Sequence, residues 1–216
     1  MSLMRLVRDI RLCQVCENDL KLGPRPILRV SKAARLLIIS QAPGIKVHQT
    51  GIPWNDASGD RLRHWMQLDE SDFYDKTKVA FVPIGFCYPG AAKNGGDLPP
   101  RPECAPLWHE RVLAQLPNVR LTVLVGQHSQ IHYLGSRRKK SMTETVRAFA
   151  EYCPNVFPLP HPSWRSTIWM RKHPWFESAV LPELQRAVQN AVGCVNIEMQ
   201  SCGPIVESGK KCCVGG

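Results

Sequence analysis

At 216 residues, 44% of them hydrophobic and 21% charged, the chain has the size and balance of one soluble globular domain with a real core. No apolar run approaches the ~18 residues needed to cross a bilayer, and the segment from Met1 to Arg5 lacks the apolar stretch of a secretion signal; membrane-spanning and secreted classes are set aside and a cytoplasmic protein is expected. The net charge of +10, from 28 basic against 18 acidic side chains, points to a polyanionic partner, because Lys and Arg that neutralise phosphates release condensed counterions.

Residues 4–22 predict a short helix followed by a turn bearing Cys13 and Cys16. Ala33 to Ser40 is a largely apolar run of strand length, the pattern of a strand buried on both faces. A Pro- and Gly-bearing loop runs from Gln41 to Ala57. Ser58 then predicts an N-cap, with Leu62, Trp65 and Met66 as the inner stripe of a helix. Lys78 to Ile84 is a second strand, which must end near Pro83. Gly85 to Pro102 is a long loop, of a kind usually functional or tied down. A helix over Ala105 to Leu116 leads to a third strand, Arg120 to Val125, and Gly126 and Gln127 open another helix. The basic run Arg137, Arg138, Lys139 and Lys140 precedes a helix from Ser141 to Tyr152. Val156 to Leu159 is the fourth strand, with His161, Pro162 and Ser163 just beyond it. Helices over Trp164 to Lys172 and Pro174 to Val192 complete a domain of residues 1–194, and residues 195–216 predict a loose tail.

Apolar strands alternating with helices predict an α/β fold, a three-layer α/β/α sandwich about a four-stranded parallel sheet. Ligands in such folds bind beyond the carboxyl ends of the strands, and the loops at Gln41, Cys87, Gly126 and His161 all leave those ends. Nine cysteines in a reducing compartment favour metal or cluster ligation over disulfides, and the odd count argues against a complete disulfide framework.

Ser40-Gln41-Ala42-Pro43-Gly44 after the first strand and His161-Pro162-Ser163 after the last together resemble the two defining motifs of the uracil-DNA glycosylase superfamily. Gly51-Ile52-Pro53-Trp54 and Ala57-Ser58-Gly59 extend the likeness toward its iron–sulfur branch, whose first motif typically reads Gly-Glu-Ala-Pro-Gly. Cys13, Cys16, Cys87 and Cys104 follow the layout of that branch's cluster ligands. The resemblance covers roughly residues 10 to 190. It implies a 4Fe–4S cluster on those four thiolates, pinning the long loop; zinc, which accepts the same ligands, is the chemical alternative. Cys153, Cys194, Cys202, Cys212 and Cys213 match nothing in the family.

The resemblance also implies a monomer that binds DNA, flips a deaminated base, uracil first, and hydrolyses its N-glycosidic bond. It makes His161 the donor to the base oxygen that gains charge and Gln41 the second catalytic position, through the backbone N–H groups around it. Trp54 would stack on the flipped base, with Ala42 beside it; Asn55, in the Trp54 loop, is a candidate to contact the base in place of the Asn that the family carries where this chain has Pro83. Pro43, Gly44 and Ser163 would hold the DNA backbone, and Trp164 and Arg165 would enter the gap left by the flipped nucleotide. His48 and Asp56 are candidates to orient water. Two positions depart from the family: Gln41 stands where the branch has Glu, and Pro83 where an Asn reads the uracil edge. These departures keep two alternatives in view, a glycosylase for another lesion such as hypoxanthine or xanthine, and a nucleic-acid-binding member without catalysis.

Overall fold

A computed structural model describes residues 2–93 and 95–193; the predicted tail and Cys194, Cys202, Cys212 and Cys213 lie outside the described residues. Four strands, β1 (Leu36–Ile39), β2 (Val79–Phe81), β3 (Leu121–Val125) and β4 (Val156–Leu159), form one sheet in the order β2-β1-β3-β4. All pairings are parallel, with Leu36 beside Val79 and Leu121, and Thr122 beside Val156. Alternate strand residues feed two cores, one on each face. Leu36, Ile38, Val79, Phe81, Val123 and Phe157 pack on one side against α3 (Ala57–Met66) and α9 (Leu181–Val192). Leu37, Ile39, Ala80 and Leu124 pack on the other against α1 (Leu3–Arg11) and α5 (Cys104–Leu113). Both faces being covered, the three-layer expectation holds.

The strands are shorter than the apolar runs that predict them, because pairing stops where the chain leaves the ladder. Three further differences have local causes. The loop after β1 contains a helix, α2 (Ile45–Thr50); six residues rich in β-branched side chains carry almost no helical signal of their own. Asp56, not Ser58, caps α3: its carboxylate accepts from Gly59 N–H at 2.9 Å, which puts Ser58 inside the first turn. The helix predicted over Ser141 to Tyr152 is α7 (Met142–Arg147) followed by a 3-10 turn over Phe149–Glu151. The remaining helices are α4 (Glu70–Phe73), α6 (Gln127–Leu134) and α8 (Arg165–Lys172), and a π-helical stretch, Phe176–Val180, runs into α9. Among the described residues no helix is long and apolar enough to cross a membrane.

Candidate active site

β2 and β3 lie on opposite sides of β1, so the connections diverge at the carboxyl end of β1 and open a crevice there. A cleft of about 1260 Å³, counting its open mouth, occupies that place. It is lined by Gln41, Ala42, Pro43 and Gly44 after β1, Trp54 and Asp56 before α3, Pro83 after β2, and His161, Ser163, Trp164 and Arg165 after β4. Nine predicted site residues thus meet in one cavity, and Asn55 is not among its lining residues. Asn55 gives its backbone N–H to Ile52 O at 3.3 Å.

Trp54 is the most constrained of these residues. Its φ is +60°, a left-handed conformation that is an outlier for a bulky side chain and costs about 1–3 kcal/mol. The neighbouring helix holds it there. Gly59 sits so close that a Cβ would come within 1.8 Å of the Trp54 carbonyl oxygen, and the Asp56 cap fixes the turn between them. The ring is 8% exposed and lies against His161, centroids 5.9 Å apart and planes inclined by 28°. His161 in turn is seated by Gly126, whose φ is +85° and where a Cβ would meet that of His161 at 3.4 Å. Burial holds the His161 imidazole below the usual histidine range, against the opposing pull of the Asp56 carboxylate. The ring is therefore a neutral donor near pH 7.

Gln41 is occupied as a brace. Its side-chain N–H donates to Leu98 O at 3.3 Å, and its backbone carbonyl accepts from Gly85 N–H at 2.9 Å. Both bonds tie the motif after β1 to the long loop over residues 85–102. Pro83 presents no donor to the cleft, and its carbonyl is taken: the Nε2–H of buried His109 donates to it at 3.0 Å, while His109 Nδ1 accepts from the Tyr133 hydroxyl. That tautomer is fixed because a carbonyl can only accept. Burial, and to a smaller extent nearby His132, hold His109 down to about 4, so it stays neutral and the bond persists. Asp97 also lines the cleft. Sequence reasoning missed it because its loop has no period, and only the loop's length marked it. At the mouth, Trp164 is 67% exposed with the Arg165 guanidinium 5.1 Å over its ring. Arg61 of α3 donates to Ser163 O in the loop after β4 and to Ser166 Oγ in the first turn of α8, bracing both against α3.

A second recess lies on the far side of the long loop. Cys13, Cys16, Cys87 and Cys104 line it together with apolar Leu20, Pro26, Phe86 and Trp108. None of the four forms a disulfide. Burial, with the other cysteines adding to it, pushes the Cys87 thiol up to about 11 and the Cys104 thiol up to about 12. Thiolates there need a positive centre to hold their charge. Phe86 N–H already donates to Cys104 Sγ at 3.3 Å. Among the described residues, no three His, Cys, Asp or Glu side chains are placed to hold a single metal ion.

Residues 29–185, more than half of the chain, match the family model described as the Uracil DNA glycosylase superfamily. The matched span includes Gln41, Trp54, Asp97, His161, Cys87 and Cys104, and leaves Cys13 and Cys16 outside it.

Proposed function

The chain belongs to the uracil DNA glycosylase superfamily, and from that membership we propose that it takes a deaminated base, uracil first, out of DNA and hydrolyses its N-glycosidic bond. One observation carries the reading: a buried, strained Trp54 and a neutral His161 stand face to face in a cleft at the switch point of the sheet. A flipped base must recover lost stacking, and Trp54 offers a planar surface for it. The leaving base departs with the electron pair of the glycosidic bond, and a neutral His161 N–H donates to the oxygen where that charge collects. Trp164 and Arg165 at the rim fill the vacated place in the duplex. Ser163 and the backbone at Pro43 and Gly44 grip the flanking phosphates.

The cysteine recess supports membership of the iron–sulfur branch. Cys13, Cys16, Cys87 and Cys104 would hold a 4Fe–4S cluster, which when bound supplies a rigid cross-link between the N-terminus and both ends of the long loop. Iron and sulfide in about equal amounts in anaerobically purified protein are expected, with both lost in Cys104→Ser; zinc alone would refute the cluster.

Pro83 favours a second reading of the substrate. With no N–H of its own and a carbonyl already bonded to His109, it cannot read the uracil edge, and a site without such a reader discriminates poorly. Hypoxanthine and xanthine therefore belong beside uracil in the test. Excision assays on oligonucleotides carrying each lesion decide the matter: release of one or more bases is expected. DNA binding with no release from any of them would leave a binding protein.

A further inference from the structure

Hydrolysis needs a group to take a proton from the attacking water, and the motif after β1 supplies none. Ala42 has no polar side chain, and Gln41 cannot act as a base and is engaged with Leu98 O. Two carboxylates stand beside that motif. A Cβ on Gly44 would meet Asp97 Oδ2 at 3.5 Å and Asp56 Oδ2 at 3.9 Å. Both residues line the cleft that they share with Trp54 and His161. Their surroundings differ. Asp56 spends Oδ1 on capping α3, whereas the Asp97 carboxylate has the Tyr88 hydroxyl beside it.

We propose that Asp97, beside Tyr88 and faced by Asp56, is the catalytic base that takes the proton of the attacking water; this assignment rests on the glycosylase reading. The water oxygen bonds to C1′ of the flipped nucleotide as the C1′–N bond breaks. The bonding pair leaves with the base, the water proton passes to Asp97, and the departing anion is met by His161. Asp56, on the same side of the cleft, supports the positive charge that develops on the sugar.

Burial first, then the charge of Asp56, raises the Asp97 carboxyl above the usual carboxylate range, while Tyr88 opposes the shift. A base is more effective as its pKa approaches the working pH. The charged and titratable groups around it are Asp56 at the start of α3, Tyr88 in its own loop and Arg165 of α8. The Arg165 guanidinium nitrogen would be 3.3 Å from a Cβ on Gly96. Further out, His161 faces Asp56 and His48 faces Tyr88, with ring centroids 5.9 Å apart. Asp97 must be ionised to act, so excision rises with pH through its raised pKa and fails below it.

The test is single-turnover excision against pH, with DNA affinity measured in parallel, on whichever lesion the wild-type protein releases. Asp97→Asn is expected to slow excision by roughly 10²- to 10⁴-fold, to abolish the acid limb and to leave affinity nearly unchanged. Asp56→Asn keeps a good helix cap and is expected to move the acid limb to lower pH, since it removes a charge that raises Asp97. Full activity and an intact acid limb in Asp97→Asn, beside an inactive His161→Ala, would overturn this assignment and leave the glycosylase reading standing. Release of no base by the wild-type protein would overturn both.

Discussion

His161→Ala is expected to lower the rate of base release by about 10²- to 10³-fold while DNA affinity stays nearly constant. The donor acts on charge that exists only as the glycosidic bond breaks, so its removal costs transition-state stabilisation and not ground-state binding. Alanine is the informative replacement because it keeps the Cβ that lies against Gly126. The loop after β4 also has its own brace, the Arg61 bond to Ser163 O, so it has no reason to move. What the variant loses is the imidazole and its contact with Trp54. Single-turnover rates and equilibrium binding to the same lesion-bearing duplex provide the check. A matching loss in both would assign His161 to packing under Trp54 and remove it from the chemistry.

The sheet was legible because two-sided burial forces near-continuous apolar runs, and Leu36–Ile39 and Leu121–Val125 are such runs. Short helices were not. Of the side chains of Ile45–Thr50 only Lys46 and Gln49 favour helix, which starts after Pro43-Gly44 and ends at Gly51 with φ +75°. The cleft was legible where a residue directly follows a strand, as Gln41 and His161 do, because the strand end fixes its position. Asp97 lies far along a loop whose path is set by distant bonds, Leu98 N–H to Gly90 O at 2.8 Å and Gln41 to Leu98 O. No local pattern encodes such a path. Asn55 shows the converse. Adjacent to Trp54 in sequence, it does not join the cleft lining, because the left-handed Trp54 turn and the Asp56 cap set the direction of the chain there.

Gly59→Ala tests the same turn and is expected to have an effect opposite to that of an ordinary helical glycine. In an exposed helix interior the change would stabilise by up to about 1 kcal/mol. Here the new methyl would stand 1.8 Å from the Trp54 carbonyl oxygen, 2.8 Å from its carbon and 3.0 Å from Trp54 Cβ. The first two are backbone atoms, so no rotamer change relieves the overlap. Either α3 shifts, disturbing Leu62, Trp65 and Met66 in the core, or the Trp54 turn relaxes away from φ +60° and carries the ring out of line with His161. Overpacking of this kind costs about 1–3 kcal/mol, and a displacement of about 1 Å in a stacking platform can cost on the order of 10²-fold in rate. Both a lower melting temperature and slower single-turnover excision are expected, along with changed tryptophan fluorescence. A variant as stable and active as wild type would mean that Trp54 does not need the left-handed turn, and the stacking platform would then have to be sought elsewhere in the cleft.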